Sequence, residues 1–473
     1  MTADADTRHT KPEADAGIRD EDGRLLASFV EGVAEAIGAN DTARVRELAG
    51  DLHESDVGDL IETLQADDRP KLIELLGVHF DFTALTEVDQ TVRTQLLEEL
   101  PPETVAEGVR DIDSDDAVYI LEDLDEADRA AILAQLPALD RVALTRSLDY
   151  PEESAGRRMQ TEFVAAPPFW TVGHTIDYLA DAEGLPETFY EIFVVDPAHK
   201  LLGSVPLDRL LRTRRSTQIS DILEEDPRTI RATDDQEDAA RVFERYNLVS
   251  AAVVDDGGRL VGVLMVDDIV DVIEEEADED LRALGGVTGD EEISDTVFYT
   301  AKSRIPWLLI NLCTAVFSAS VIGLFEATIE QMVALAVLMP IVASMGGNAG
   351  TQTMTVAVRA LATRDIGGHN ARRLVGRETL VGLANGVILA ALIGCAASAW
   401  FGNLQLGAII ATAMVVNLVC AGLFGILIPL GLDRLKADPA VASGVFLTTV
   451  TDTVGFFSFL GLATWWFGLG LGA

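Results

Sequence analysis

AVASGVFLTTVTDTVGFFSFLGLATWWFGLGL, residues 440–471, is a run of apolar and small residues in which Asp452 is the only ionisable group. A helix needs roughly 20 residues to cross a hydrocarbon core, so the run is long enough to span. A carboxylate at that depth costs roughly 2.5–3.5 kcal/mol on insertion scales, and is kept where it has a polar partner or handles an ion. Thr448, Thr449, Thr451 and Thr453 are close enough in sequence to hydrogen-bond it as glue between helices. The other reading is an ion pathway, which an acid inside a span suggests by default. The sequence favours the pathway.

Four more hydrophobic segments precede this one, at 306–325, 331–361, 379–401 and 406–432, and the last runs over 440–470. Between them lie FEATIE (325–330), a basic loop (364–378), GNLQ (402–405) and DRLKADP (433–439). The nine basic residues beyond 295 are Lys302, Arg304, Arg359, Arg364, Arg372, Arg373, Arg377, Arg434 and Lys436. All fall on the side from which the first span starts, whereas the opposite side carries Glu326 and Glu330. Positive residues stay inside. The expectation is a multi-pass protein of the cytoplasmic membrane with its N-terminus cytoplasmic and its C-terminus outside. The opening MTADADTRHT has no apolar signal-peptide core.

Charge divides at the same place. Residues 1–295 carry a formal −45 and residues 296–473 carry +2, within a total of −43. A soluble acidic assembly therefore precedes a nearly neutral membrane domain. Five lysines against thirty arginines, with so much negative charge, fit a halophilic-type protein kept dispersed in a salt-rich cytosol. No nucleic acid is expected as a partner. Cys313, Cys395 and Cys420 lie within spans, so neither a disulfide framework nor a thiol metal cage is implied.

The acidic part is itself divided. Residues 1–24 are polar and acidic and read as a disordered tail. A period of twelve follows: Leu52, Leu64, Leu76, Val88, Leu100, Ile112, Leu124, Leu136 and Leu148. From Val88 on, each is followed by Asp or Pro, at Asp89, Pro101, Asp113, Asp125, Pro137 and Asp149. Asp starts helices as an N-cap and Pro in the first turn. The pattern predicts short helices that stack into an all-α solenoid.

Residues 151–276 change pattern. EIFVVDPAHKLLGSVPLDRLL (191–211) and SAAVVDDGGRLVGVLMVDDIV (250–270) each read as strand, Asp turn, strand after Gly, then helix. An amphipathic helix precedes each. This resembles a tandem pair of α/β CBS (Bateman) modules, which dimerise as a flat disk and often bind adenine nucleotides. The nucleotide-binding form carries Ser or Thr followed three residues later by Asp. Here the first module has Pro206 and Arg209 and the second has Met265 and Asp268, so ATP is weakly supported.

Next comes VDDIVDVIEEEADEDLRALGGVTGDEEISD (266–295), predicted to be largely helical. Asp268, Asp271 and Glu275 would share one face, with Glu276, Glu279 and Asp280 a turn further on. Like charges at that spacing repel unless cations sit between them, and hard divalent ions favour such oxygen ligands. A merely solvated acidic helix is the plainer reading of the same residues.

The order of these parts resembles the MgtE-type magnesium channels and transporters over residues 25–473. The most specific motifs are GGNAGTQ (346–352), RALATRD (359–365), DPA (438–440) and TDTVG (451–455). The resemblance implies a helical N domain at 25–150, a CBS pair at 151–274, an acidic plug-like connecting helix at 275–303 and five transmembrane helices within 304–473. It implies a homodimer in the lipid bilayer, with Asp452, Asn348 and Gly347 lining a Mg²⁺ pore. It further implies regulatory Mg²⁺ bound by Glu237, Asp268, Asp271, Glu276, Glu279 and Asp280, which closes the pore. Asn247 stands where the family has another carboxylate. The main alternative is a CBS-regulated transporter for another divalent cation or solute. No HExxH, no Ser–His pair within a span and no second intramembrane Asp point to an enzyme, and none is expected.

Overall fold

The structure is a computed structural model that describes residues 18–182, 184–186, 188–287, 296–362 and 370–468. It divides into two compact units, Met1–Glu275 and Glu276–Ala473.

The first unit opens with α1 (Ala27–Gly38), α2 (Thr42–Ala49), α3 (Glu54–Thr63) and α4 (Arg69–Leu76). Five helices follow: α5 (Gln90–Glu99), α6 (Pro102–Arg110), α7 (Ser114–Glu122), α8 (Glu126–Gln135) and α9 (Ala138–Leu148). Each of these five begins two positions after a residue of the twelve-residue period. The Asp89 carboxylate accepts from Thr91 N (3.0 Å), and that of Asp125 from Ala127 N (3.0 Å) and Asp128 N (2.9 Å). Alternate helices stack, α6 on α8 and α7 on α9, so the apolar period residues share one core.

Two expectations need correction here. Between Leu76 and Val88 the repeat unit is not an α-helix but two 3₁₀ turns, Gly77–His79 and Phe82–Leu85. Gly77, with φ +58°, ends α4 in a conformation that glycine adopts without a side-chain clash. The supposed disordered tail is ordered from residue 18 on: Arg19 pairs with Asp56 and with Asp59, the latter at 2.7 Å. Residues 1–17 lie outside the described residues.

Two α/β modules follow with the same topology. In the first, β1 (Ala165–Ala166) runs parallel to β2 (Glu191–Val195), and β2 pairs antiparallel with β3 (Leu201–Pro206). In the second, β4 (Thr229–Arg231), β5 (Ser250–Val254) and β6 (Leu260–Met265) repeat that order. Both hairpins carry a bulge at the last residue of their first strand and an Asp that holds the turn. Asp196 accepts from Ala198 N (2.8 Å) and Lys200 N (2.9 Å), and Asp255 from Gly257 N and Arg259 N (2.8 Å each). The helices α10 (Val172–Asp181), α11 (Leu207–Leu211) and α12 (Gln236–Tyr246) complete the modules. Asn247 ends α12 with φ +51°, a left-handed C-cap that asparagine tolerates. Its place here therefore has a backbone reason.

The expected final helix of the second module and the acidic connecting helix are one element, α13 (Val266–Gly285). Residues 288–295 lie outside the described residues.

The second unit contains α14 (Val297–Gly323), the short α15 (Glu326–Gln331), α16 (Ala334–Ala362), α17 (Ala371–Phe401), α18 (Leu404–Arg434) and α19 (Pro439–Phe467). Five of these, all but α15, are long and apolar enough to cross a membrane. Residues 297–303 belong to the first of them rather than to a connecting segment. The helix α17 likewise begins eight residues before the expected 379, which brings the buried Glu378 inside a spanning helix. RALATRD is described only as far as Ala362. The central helix is α18, with α17 on one side and α16 and α19 on the other. Small residues permit that closeness: a Cβ on Gly382 would lie 2.5 Å from Leu418 O.

Replacing Asp125 by Ala removes two capping hydrogen bonds, both accepted by Oδ1, and should cost about 1 kcal/mol. Chemical denaturation of the purified chain, read against Asp128→Ala as an exposed control, measures that loss.

Candidate functional site

Asp452 lies near the middle of α19 and is half-buried. The threonines around it are turned elsewhere. Thr448 Oγ1 donates to Gly444 O (2.9 Å), Thr449 Oγ1 to Val445 O (2.7 Å) and Thr451 Oγ1 to Leu447 O (3.1 Å). Thr453 Oγ1 is 3.5 Å from Ser318 Oγ on α14. Among the described residues no hydrogen bond or ion pair engages the Asp452 carboxylate. None of these contacts is the hydrogen bond between Asp452 and a threonine that the glue reading requires.

The GGNAG segment sits on α16. Gly346 and Gly350 are buried in the helix bundle, while Asn348 is exposed and a Cβ on Gly347 would meet nothing within 4 Å. Successive helical residues turn by about 100°, so Gly346 and Asn348 face nearly opposite ways. One glycine packs inward and the amide faces out. Arg359 lies near the end of the same helix.

In the first unit, acidic groups gather around Asp268, and several of them belong to the helical N-terminal part. Burial, then Asp267 and Asp116, push the Asp268 carboxyl up to about 8. Burial, then Asp113 and Asp81, push Asp116 up to about 7. Asp115 is raised well above the usual carboxylate range by burial, with Asp268 the largest charge against it. Asp271 is raised by burial and by Glu87. Asp268 Oδ2 is buried without a hydrogen-bond partner. Among the described residues no three such groups converge closely enough to hold a bare cation. The donor set is all carboxylate, with one orphaned oxygen, and fits a hydrated hard ion.

The far end of the same helix pair is attractive. Arg158 bridges Glu275 of α13 (2.8 Å) and Glu122 of α7 (3.5 Å), and its guanidinium lies over the Tyr119 ring at 5.0 Å. Arg158 Nε also donates to Gln236 Oε1 (3.0 Å). The contact between α7 and α13 is repulsive at one end and bridged by an arginine at the other.

Of the other sequence candidates, Glu237 is engaged within its own helix and three lie in the second unit. Glu237 pairs with Arg241 one turn along α12. Glu276, Glu279 and Asp280 lie in the second unit, on the later turns of α13. Sequence reasoning missed Asp115, Asp116 and Glu87. The signal was there as DIDSDD (111–116), but it read as another cap within the helical repeat.

Comparison with known proteins identifies the family. Residues 339–462 match the MgtE family described as a divalent cation transporter, residues 52–153 the MgtE intracellular N domain and residues 219–275 the CBS domain. The magnesium transporter MgtE of Enterococcus faecalis is 38% identical over 317 residues, covering 67% of this chain and 70% of that protein. Those of Bacillus subtilis (30%, covering 89% and 93%) and Thermus thermophilus (32%, covering 91% and 96%) match along nearly their whole lengths. This chain belongs to the MgtE family. It is a multi-pass membrane transporter with a CBS pair, not an enzyme. A solved structure of the cytosolic domain of the Mg²⁺ channel MgtE with ATP is 29% identical, with a TM-score of 0.49 over 51% of this chain and 99% of that one. The CBS match covers the second module, and the first is evident from its identical strand order.

The raised carboxyls set a pH dependence for this MgtE chain. Their stabilising neutral forms are fully present below the ordinary value near 3.8 and are lost as pH rises through about 7 to 8. In a chelating buffer the first thermal transition should therefore fall between about pH 5.5 and about pH 8. Asp268→Asn should flatten that fall, and an unchanged slope in this variant would count against the cluster.

Proposed function

We propose that this chain is a Mg²⁺ channel of the cytoplasmic membrane that works as a homodimer, with Asp452 of each subunit facing a shared axial ion. The observation that carries the reading is the half-buried Asp452 carboxylate, without a protein partner among the described residues while its threonine neighbours bond to helix backbone or to Ser318. Asn348 and the open flank of Gly347 add an amide oxygen and accessible backbone. Mg²⁺ gives up water reluctantly and is held by one or two carboxylates through its hydration shell. Two aspartates with amides suit that ion better than they suit a dehydrated Na⁺ or K⁺. The relatives named as magnesium transporters support the choice of ion. The distribution of basic residues supports a cytoplasmic N-terminus and an outer C-terminus.

The gate in this proposal is the acidic contact around α13. Mg²⁺ in the cytosol neutralises Asp268 and Asp271 against Asp115, Asp116 and Glu87 and favours the compact arrangement, in which the pore is shut. Glu276, Glu279 and Asp280 extend the same charge along the helix, and Glu237 joins only if it leaves Arg241. At low Mg²⁺ the carboxylates repel, α13 moves and the pore opens. The ion acts by binding one of two states more tightly. ATP stays outside this proposal: Pro206, Arg209 and Met265 lack the expected pattern.

Mg²⁺ uptake into liposomes, with the interior Mg²⁺ varied, tests both halves. Asp452→Ala should reduce uptake at least about tenfold, as loss of an intramembrane ion ligand does. Asp268→Asn, which removes both a ligand and a repelling charge, should flatten the dependence of closure on interior Mg²⁺. Absence of Mg²⁺ flux from folded wild type would refute the channel, whereas flux indifferent to interior Mg²⁺ would refute the acidic gate alone. Replacing Mg²⁺ by Co²⁺ or Mn²⁺ in the same assay tests a preference for another divalent cation.

A further inference from the structure

Asn417 lies in the middle of α18, is fully buried, and is placed where three helices meet. Its Nδ2 donates to Val342 O on α16 at 2.8 Å, and its Oδ1 is buried without a partner. The amide also lies flush against two glycines. A Cβ on Gly346 of α16 would collide with it, and one on Gly455 of α19 would come within 2.8 Å of Nδ2. Those glycines belong to GGNAG and TDTVG, the two motifs that hold Asn348 and Asp452.

We propose that Asn417 is a positioning residue for permeation, setting the depth and rotation of α16 and α19 so that Asn348 and Asp452 stand at one level. This rests on the pore reading above. The hydrogen bond to Val342 O fixes how far α16 is displaced along α18. Contact at Gly346 fixes its rotation, and because Asn348 lies about 200° further round the helix, it sends that side chain to the opposite face. Contact at Gly455 does the same for α19, and Asp452 is three residues, or about 60° in rotation, from it. A leucine in place of Asn417 would fill similar space, but it could neither hold Val342 O nor pack its branched end against both glycines. The pore ligands would remain while their spacing was lost.

The test is Mg²⁺ flux in liposomes as a function of outside Mg²⁺, for wild type, Asp452→Asn, Asn417→Leu and Gly455→Ala. Positioning predicts that Asn417→Leu raises the half-saturating Mg²⁺ about tenfold, the scale of one lost interhelical hydrogen bond. It should also weaken discrimination of Mg²⁺ over Ca²⁺, with unchanged monodispersity of the purified protein. A residue that merely held the fold would lower the maximal flux and leave half-saturation and ion preference as they were. Gly455→Ala should resemble Asn417→Leu, because its methyl group would displace the amide, and it decides the matter if Asn417→Leu does not fold. Asp452-dependent flux with wild-type half-saturation and preference in either variant overturns the proposal. Flux independent of Asp452 overturns the pore reading and this inference together.

Discussion

Taking a carboxylate out of water costs free energy unless a cation or a donor replaces its lost hydration. Among the carboxylates that this chain buries, two places matter to the proposed function. Asp452 stands half-buried on a spanning helix, and Asp115, Asp116 and Asp268 press together where the helical N-terminal part meets α13. In neither place does an arginine or lysine among the described residues pair with them. Under the proposed function, the channel and its gate are two uses of one electrostatic deficit.

Where the protein needs a permanent counter-charge, it has one. Arg158 bridges Glu122 and Glu275 across the same helix pair whose other end is repulsive, and Arg93 pairs with Asp123 at 2.7 Å beneath Tyr119. A contact with one fixed end and one repulsive end is poised between two arrangements, because a modest change in charge at the free end shifts the balance. In the proposed gate, a small ion moves a long helix in this way, without a deep binding cage.

Much of this was legible in the chain. Short β-branched runs joined by an Asp turn, the second following a Gly, foretold β2–β3 and β5–β6, whose strands are largely buried. The twelve-residue period foretold α5 to α9 because each cap follows an apolar end residue. It failed at Gly77, where a left-handed backbone breaks the helix and two 3₁₀ turns take over. Residues 18–24 were misread as a tail, since Arg19 reaches Asp56 and Asp59 across a distance in sequence that composition does not encode.

The sequence by itself determined the spanning helices, the isolated Asp452 and the acidic run of α13, because hydropathy and charge are local properties of consecutive residues. Only the tertiary structure decided which acids face one another, Asp115 and Asp116 with Asp268 rather than Glu237 with Asp268. It alone turned the threonines away from Asp452 and brought Asn417 against Gly346 and Gly455. Such pairings arise from helices packed side by side, and a contact between residues dozens of positions apart is set by the geometry of the whole bundle.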